Sequence, residues 1–223
     1  MDSYRIEKPA PFYDQLYRSI KQMIVDGIFK PGERIVESRL ARDFNVSRSP
    51  IREAIRALEK DGLIQVDDKS RIIVYTPTLQ DVEDIYQCRM ALESMAASLT
   101  VRRASDVELQ RIEETLRQTR IRIEAEGGYV KEEVIGLNTR FHSLLIEFSG
   151  NWRLERQLND LKALLHLYRV INFQGPNREW DIYNEHLDIF NAIQNRQEQQ
   201  AADAMIRHLI HDYEHLRGLL GSS

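Results

Sequence analysis

Cysteine is almost missing from this sequence, in which Cys88 is the only one among 223 residues. A single cysteine cannot form an internal disulfide, and a chain without disulfides suits a reducing compartment. No apolar run approaches the roughly 20 residues that a membrane-spanning helix requires. The polar N-terminus also lacks the apolar core of a signal peptide. We therefore expect a cytoplasmic protein with no membrane partner.

The common catalytic signatures are missing as well. The sequence contains no HExxH-type histidine pair, no GxSxG turn and no glycine-rich phosphate-binding loop. These absences count against a zinc peptidase, a serine hydrolase and a nucleotide hydrolase of the P-loop type. An enzyme is therefore a minor alternative, and it would have to depend on the histidines described below.

Charge is distributed unevenly along the chain. The formal net charge is -4 overall, but residues 1–77 hold 14 Lys and Arg against 12 Asp and Glu, a net of +2. Residues 78–223 hold 17 basic against 23 acidic residues, a net of -6. Halves of opposite sign indicate two domains with different roles, which we place at residues 10–77 and 78–220.

The first of these domains begins with helical patterns. Apolar residues recur at every fourth position within residues 12–28, with Ile28 as the last of them, and this spacing predicts an amphipathic helix. A short helix follows at about residues 38–44. A third helix begins where Ser49 can act as the N-cap ahead of a proline, with Ser47 as the alternative cap.

A β-hairpin follows the three helices. Residues 63–66 and 72–75 are rich in Leu, Ile and Val and flank a polar turn, which is the pattern of a hairpin, or wing. Three helices and a wing in this order make a winged helix-turn-helix, whose third helix enters the major groove of DNA. The buried stripe of that third helix is expected to consist of Ile51, Ile55 and Leu58.

The stripe leaves Arg48, Ser49 and Arg52 at or near the exposed start of the third helix. Arginine can donate two hydrogen bonds to a guanine edge, and serine hydroxyls and free N–H groups at a helix start can bind phosphate. These residues are therefore candidates for binding DNA. The alternative is that both arginines are only solvated, with Glu53 offsetting one of them.

The segment PGERIVESRLARDFNVSRSPIREAIRALEKDGLI resembles the DNA-binding domain of the GntR family of bacterial transcription regulators. The similarity covers about residues 10–77, and it implies that the third helix reads DNA while the wing tip reaches the adjacent minor groove. Where a glycine is usual near that tip, this chain has Ser70 after two aspartates, so the wing departs from the family pattern. The candidate DNA contacts are Arg39, Ser47, Arg48, Ser49 and Arg52, with Lys69 and Arg71 on the wing.

The second half of the chain is helical throughout in pattern. Two segments, residues 78–81 and 105–108, resemble capping boxes that open long amphipathic helices. We predict a mainly α protein, in which the winged helix-turn-helix with its small β-hairpin is followed by an antiparallel all-helical bundle. The six predicted helices of the bundle are 79–99, 106–126, 129–148, 152–173, 178–195 and 198–219.

All six histidines of the chain lie in this second half. Asn138 and His142 are four residues apart and share a helix face, while His186 and His208 lie on the last two predicted helices. Three neutral imidazoles can bind zinc, nickel, iron or copper and leave coordination positions open. Sequence spacing leaves open whether the three converge, so separate structural histidines are the alternative.

Four short segments, from Asn138 to His142, from Phe148 to Asn151, Glu185-His186 and Arg207-His208-Leu209, resemble the FCD domain, the ligand-sensing half of FadR-subfamily GntR regulators. The resemblance covers about residues 79–219. It implies a divalent metal, with zinc favoured and nickel or another metal as alternatives. The implied ligands are His142, His186 and His208, with Asn138 in place of the family's aspartate.

The asparagine changes the expected chemistry of this site. An amide oxygen is a neutral ligand, so the site should bind a metal more weakly than the aspartate version and should keep about two positive charges when occupied. An anionic effector would then be attracted more strongly. The alternative is a metal-free pocket in which the histidines are only polar lining.

Arg89 is the principal candidate for binding such an effector. It lies among apolar residues on the first helix of the bundle, and a buried arginine requires an anionic partner. A structural pair with Glu93, four residues later, is the alternative. The other candidate effector residues are Tyr86, Arg140, His166 and Asn172.

Together these features predict a repressor that binds palindromic double-stranded operator DNA as a homodimer and responds to a small carboxylate metabolite. A metal-dependent hydrolase built on the histidines is one alternative, and a metal-free ligand-sensing regulator is another. A third is a helical adaptor with a vestigial DNA-binding domain.

Overall fold

The computed structural model describes residues 12–125 and 128–221. Positions 10 and 126, where we predicted a domain start and a helix end, lie outside this range. The chain divides into two compact units, Met1–Thr76 and Pro77–Ser223. Among the described residues, none of the helices combines the length and the apolar character needed to cross a bilayer.

In its described residues, the first unit contains three helices and a small antiparallel sheet whose strand order is β1-β3-β2. The wing formed by β2 and β3 is confirmed, and the sheet gains a short third strand, β1, that the sequence did not predict. The helices pack around a core that includes Leu16, Ile20 and Leu58. The elements of this unit are α1 (Phe12–Val25), β1 (Arg34–Ile35), α2 (Glu37–Asp43), α3 (Arg48–Lys60), β2 (Ile64–Val66) and β3 (Ile72–Val74).

Two helix limits in this unit differ from prediction. α1 ends at Val25, because Gly27 adopts a left-handed φ of 71° that terminates the helix, and Ile28 is consequently 61% exposed. The N-cap of α3 is Ser47, so the prediction of Ser49 was wrong by about half a turn. Pro50 fits the third helical position, because the N–H groups of the first turn have no acceptor within the helix.

The second unit is entirely helical in its described residues, as predicted. Its helices are α4 (Leu79–Arg103), α5 (Asp106–Ile123), α6 (Lys131–Phe148), α7 (Trp152–Asp160), α8 (Lys162–Asn172), α9 (Arg178–Gln194) and α10 (Glu198–Gly221). The capping box at Ser105 and Glu108 is confirmed, and the Thr78 side chain accepts a hydrogen bond from the backbone N–H of Asp81. α4 packs against α6, α9 and α10, which makes it the central helix of the site described below.

The predicted single helix 152–173 is two helices, so the unit has seven described helices instead of six. The break falls at Leu161, whose N–H donates to the carbonyl oxygen of Leu158 at 3.2 Å and so tightens the last turn of α7. No glycine or proline marks this position in the sequence. The break therefore could not be predicted from a glycine or proline signal.

Candidate DNA-binding surface and metal and effector site

The start of α3 presents a polar surface to solvent. Ser47, Arg48, Ser49 and Arg52 are all exposed, while the opposite face of the helix packs against α1 and α2. Arg52 donates a hydrogen bond through Nε to Glu37 Oε2 at 3.2 Å. The terminal nitrogens of Arg52, which form the fork that matches a guanine edge, are not used by this contact.

A cleft of about 210 Å³ lies beside the start of α3 and is lined by Arg34, Arg48 and Arg71, among other residues. Guanidinium groups grouped around one cleft favour contact with backbone phosphate. Arg34 could not be identified from the sequence as a candidate DNA contact, because the two-residue strand that positions it has no periodicity. Arg39, which was predicted to contact DNA, is exposed on α2 with its Nε 3.6 Å from Asp43.

Asp67 organises the turn of the wing. Its Oδ1 accepts hydrogen bonds from the backbone N–H groups of Lys69 and Arg71 at 3.0 and 2.8 Å, and its Oδ2 accepts one from Arg71 Nε at 2.7 Å. These contacts hold a turn in which Ser70 adopts a left-handed φ of 56°, a conformation that usually favours glycine. The ion pair occupies part of the Arg71 guanidinium, while Lys69 remains exposed.

Three histidines from three helices converge in the second unit. His142 on α6, His186 on α9 and His208 on α10 are each no more than 2% exposed. The Nε2 atoms of His186 and His208 are 3.4 Å apart, and the ring of His142 lies 5.0 Å from the ring of His186 and 5.3 Å from that of His208. One ring nitrogen of each histidine lies within 4.8 Å of the other two, which is a spacing that a single metal ion can bridge.

Carboxylates fix the orientation of two of these rings. His142 Nδ1 is 2.6 Å from Glu93 Oε2, and His208 Nδ1 is 2.6 Å from Glu185 Oε2. Among the described residues, the buried His142 Nε2 and the buried Oδ1 of Asn138 have no hydrogen-bond partner. Buried polar atoms are rarely left unpaired, so these two atoms are suited to an additional bound species.

Burial keeps two of the three rings neutral. It lowers the pKa of His142 to about 4, against the opposing influence of the Glu93 carboxylate. Burial, together with the neighbouring His208 and His142, holds the pKa of His186 well below its usual value. At neutral pH these imidazoles therefore keep a lone pair that can bind a metal ion.

Comparison with known proteins identifies the two units. Residues 12–74 match the family model described as "Bacterial regulatory proteins, gntR family", and residues 84–211 match the FCD domain. The chain is 41% identical over 220 residues to the HTH-type transcriptional regulator YdhC of Bacillus subtilis, which covers 99% of this chain and 97% of that protein. The chain belongs to the GntR family and is a transcription regulator with an FCD domain.

Other relatives agree with this assignment. The HTH-type transcriptional repressor RspR of Escherichia coli is 29% identical to this GntR regulator. The match covers 92% of this chain and 89% of RspR. The solved structure of E. coli McbR/YncC has a TM-score of 0.74 at 18% identity and covers 94% of this chain and 99% of that chain. At this identity the structural likeness concerns the fold alone. The two sequence relatives are named as transcription regulators, and this counts against both the hydrolase and the adaptor alternatives.

The contacts of Glu185 in this GntR regulator are also unlike those of a catalytic base. Its Oε2 is 2.6 Å from His208 Nδ1 and its Oε1 is 2.9 Å from Nδ1 of the exposed His211. Both oxygens therefore accept hydrogen bonds from the outer side of histidine rings. A general base for hydrolysis would instead have to reach a water on the Nε2 side.

Arg89 of the regulator is almost fully buried, at 1% exposure. The structural pair that we considered is present, because Arg89 Nε donates to Glu93 Oε1 at 2.6 Å. However, Arg89 Nη2 has no hydrogen-bond partner among the described residues, so the pair leaves one donor for a ligand. The guanidinium also lies 4.7 Å from the ring centre of the buried Tyr86. Although burial alone would raise the pKa of Glu93, the charge of Arg89 and the contact with His142 hold that pKa well below its usual value.

Asp212, a residue that the sequence did not bring to attention, is a second buried acid in the regulator. Its Oδ1 accepts hydrogen bonds from Asn172 Nδ2 and from Arg178 Nη2, both at 2.5 Å, and its Oδ2 is 3.7 Å from His208 Nε2. Although burial alone would raise its pKa, His208, Arg89 and Arg178 lower it below the usual value. Its position four residues after His208, on the same face of α10, is a signal that could have indicated it.

Arg169 is a further buried arginine of the regulator that was not predicted. Burial and the charge of Arg89 lower its pKa to about 10, so it remains charged at neutral pH. Its Nη1 donates to the Thr139 hydroxyl at 3.4 Å, and its Nε has no partner among the described residues. A cavity of about 30 Å³, lined by Glu93, His142 and Arg169 among others, lies beside it. That volume holds about one water, so a larger ligand requires the surrounding side chains to move.

The remaining predicted effector residues are scattered. Asn172 joins the cluster through Asp212, and its Oδ1 is 2.7 Å from His215 Nδ1. His166 is half-buried on α8 and does not line the cavity beside Arg169. Arg140 is exposed and lines an open groove between α5 and α6 instead.

Proposed function

We propose that this regulator is a cytoplasmic repressor of the FadR subfamily. It binds a palindromic operator as a homodimer and releases it when a small carboxylate metabolite binds at a metal ion in the second unit. One observation carries the sensing part of this proposal. One ring nitrogen of each of His142, His186 and His208 lies within 4.8 Å of the other two in a buried place. His142 Nε2 and the Oδ1 of the buried Asn138, one helical turn before His142, have no protein partner among the described residues.

The ligand set suits a divalent transition metal, with zinc favoured because it accepts nitrogen ligands and tolerates an open position. His142, His186 and His208 would hold the ion through Nε2, and Asn138 would add a carbonyl oxygen. Such an ion would supply positive charge to which an anionic oxygen can bind. Nickel or another divalent metal is compatible with the same ligands.

Charge balance supports an anionic ligand at this site. The buried Arg89, Arg169 and Arg178 lie near the buried carboxylates of Glu93 and Asp212 and the partly exposed carboxylate of Glu185. Three positive and three negative side chains cancel formally, so a divalent ion held by four neutral ligands adds about two uncompensated positive charges. A small carboxylate that binds the ion and the free Arg89 Nη2 would neutralise part of this charge.

The DNA part of the proposal rests on the exposed start of α3. One recognition helix reaches only a few base pairs, whereas two such helices about 34 Å apart read both halves of a palindrome. We therefore propose a homodimer. Repression, as opposed to activation, is favoured by the name of the E. coli relative RspR, which is a repressor.

Selection of bound sequences from a random DNA pool tests this part directly. The selected sites should contain two inverted half-sites whose centres are about one helical turn apart. Sedimentation of the selected duplex with the protein should give two chains per duplex. Single half-sites bound by one chain would contradict the proposed homodimer.

Asn138→Asp should raise the affinity for zinc by about tenfold or more, equivalent to about 1.4 kcal/mol. The reason is that a carboxylate adds a negative charge beside the ion, and charges at contact distance interact strongly in a buried site. Competition with a chromophoric zinc chelator measures the change. Asn138→Ala is the control and should weaken binding. An aspartate variant with no gain in affinity would count against Asn138 as a ligand.

A further inference from the structure

Glu93 links the proposed effector site to the proposed metal site. One of its oxygens, Oε1, accepts a hydrogen bond from Arg89 Nε at 2.6 Å, and the other, Oε2, is 2.6 Å from His142 Nδ1. Arg89, Glu93 and His142 are each 1% exposed. The two oxygens of a single buried carboxylate are therefore divided between an arginine and a histidine.

This contact determines where His142 carries its proton. An ionised carboxylate can only accept hydrogen bonds, so the ring nitrogen that faces it must be the N–H donor. In a neutral ring with the proton on Nδ1, the lone pair lies on Nε2. Nε2 is the atom of His142 that has no partner among the described residues. In the opposite tautomer Nε2 would carry the proton and could not bind a metal.

We propose that Glu93 is a positioning residue for metal binding. It fixes His142 in the Nδ1–H tautomer and so presents the Nε2 lone pair to the ion, while Arg89 fixes the orientation of the Glu93 carboxylate. The importance of this role for sensing rests on the proposed metal site. The tautomer itself does not, because the contacts exist without an ion.

The contact between His208 and Glu185 provides an internal comparison. It has the same 2.6 Å length, but the Glu185 side chain is 19% exposed and also contacts His211 at 2.9 Å. Water can replace a partly exposed partner more readily than a buried one. Metal-binding histidines commonly donate their second nitrogen to a carboxylate, and loss of that partner lowers metal affinity. Glu185 should therefore have the same role with a smaller effect.

Glu93→Gln tests the proposal because Arg89 determines which end of the new amide faces which partner. Arg89 Nε must donate to the amide oxygen, so the amide NH2 group points at His142 Nδ1 and requires it to accept. The proton of His142 then moves to Nε2. In the full-length, metal-free protein at neutral pH, 15N NMR of the imidazole nitrogens distinguishes these two tautomers. Absence of the signals in His142→Ala assigns them.

We expect the Nδ1–H tautomer in the parent and the Nε2–H tautomer in Glu93→Gln. Zinc affinity, measured by chelator competition, should fall by about 10- to 100-fold in Glu93→Gln and by less in Glu185→Gln. Circular dichroism and thermal unfolding identify any variant that fails to fold, and tautomer and zinc affinity are compared only for folded protein.

Two results would overturn the inference. One is the Nε2–H tautomer at His142 in the parent, and the other is a Glu93→Gln protein whose zinc affinity stays within about twofold of a metal-binding parent. A third result separates the two proposals. The tautomer of His142 differs between the parent and Glu93→Gln as expected, but the parent binds no zinc. In that case the positioning of His142 by Glu93 stands and the proposed metal-dependent function fails.

Discussion

Replacing Arg48 and Arg52 together by alanine is expected to weaken operator binding by about a hundredfold or more at constant salt. Both side chains are exposed at the start of α3, and each guanidinium can make a bidentate contact with a guanine, worth roughly 1–3 kcal/mol. Fluorescence anisotropy with a labelled operator measures the loss. The affinity for unrelated DNA should fall by less, because the base contacts are lost only from specific binding, whereas a phosphate contact of Arg48 is lost from both kinds of binding.

Lys60→Ala is the matched control for the loss of charge. Lys60 is exposed in the last turn of α3, at the end opposite the two arginines. Its removal subtracts one positive charge from the same helix and should change operator affinity by no more than about threefold. If the double arginine variant bound the operator as tightly as the parent, α3 would not be the recognition helix.

His142→Ala should abolish stable metal binding, so that the purified variant holds less than about a tenth of the metal in the parent. The variant retains two histidines and a neutral amide, which is too few strong ligands for a stable zinc site. It leaves Glu93 paired only with Arg89, so thermal unfolding must confirm that the variant is folded. Plasma mass spectrometry of untagged protein, purified without chelator, measures the metal content.

His211→Ala is the matched control for this change. The His211 side chain is on α10, is 56% exposed and contacts Glu185, so its loss removes an imidazole without removing a proposed ligand. Its metal content should equal that of the parent. Retention of metal in His142→Ala would show that the ion binds elsewhere and would contradict the proposed ligand set.

Much of the fold follows from local sequence signals. The four-residue spacing of Leu16, Ile20 and Ile24 predicted α1, and the turn residues between two apolar segments predicted the wing. Local sequence signals did not predict elements whose formation depends on tertiary packing. The strand β1 consists of Arg34 and Ile35 alone, which is too short for any alternation, and it forms because β3 offers it a partner.

At the candidate site, too, local sequence signals could not predict contacts that depend on tertiary packing. The histidines could be named from the sequence because they are few and resemble a family pattern, but their convergence depends on how α6, α9 and α10 pack against α4. Glu93 was considered only as a partner of Arg89, whereas its second oxygen contacts His142, 49 positions later in the chain. Such a contact has no signature in sequence spacing, because it arises from two helices that pack side by side.

The buried charges around Arg89 indicate how binding of a ligand could affect the contact between α4 and α10. Removing one partner of a buried ion pair leaves an uncompensated charge, so Arg89, Glu93 and Asp212 constrain one another. Asp212 lies on α10 and Arg89 on α4, with Nη1 and Oδ2 4.0 Å apart. A carboxylate bound to Arg89 would compete with these acids, and the contact between the two helices is where we expect the response to begin.

The most direct test of the proposed regulation is operator affinity under four conditions. Fluorescence anisotropy would be measured with zinc-loaded and with metal-stripped protein, each with and without a panel of small mono- and dicarboxylates. We expect at least one carboxylate to weaken operator binding of the zinc-loaded protein by about fivefold or more, within the usual range of allosteric coupling. The same carboxylate should have little effect on the stripped protein. Equal operator affinity in all four conditions, across the whole panel, would contradict a regulator that senses carboxylates through a bound metal.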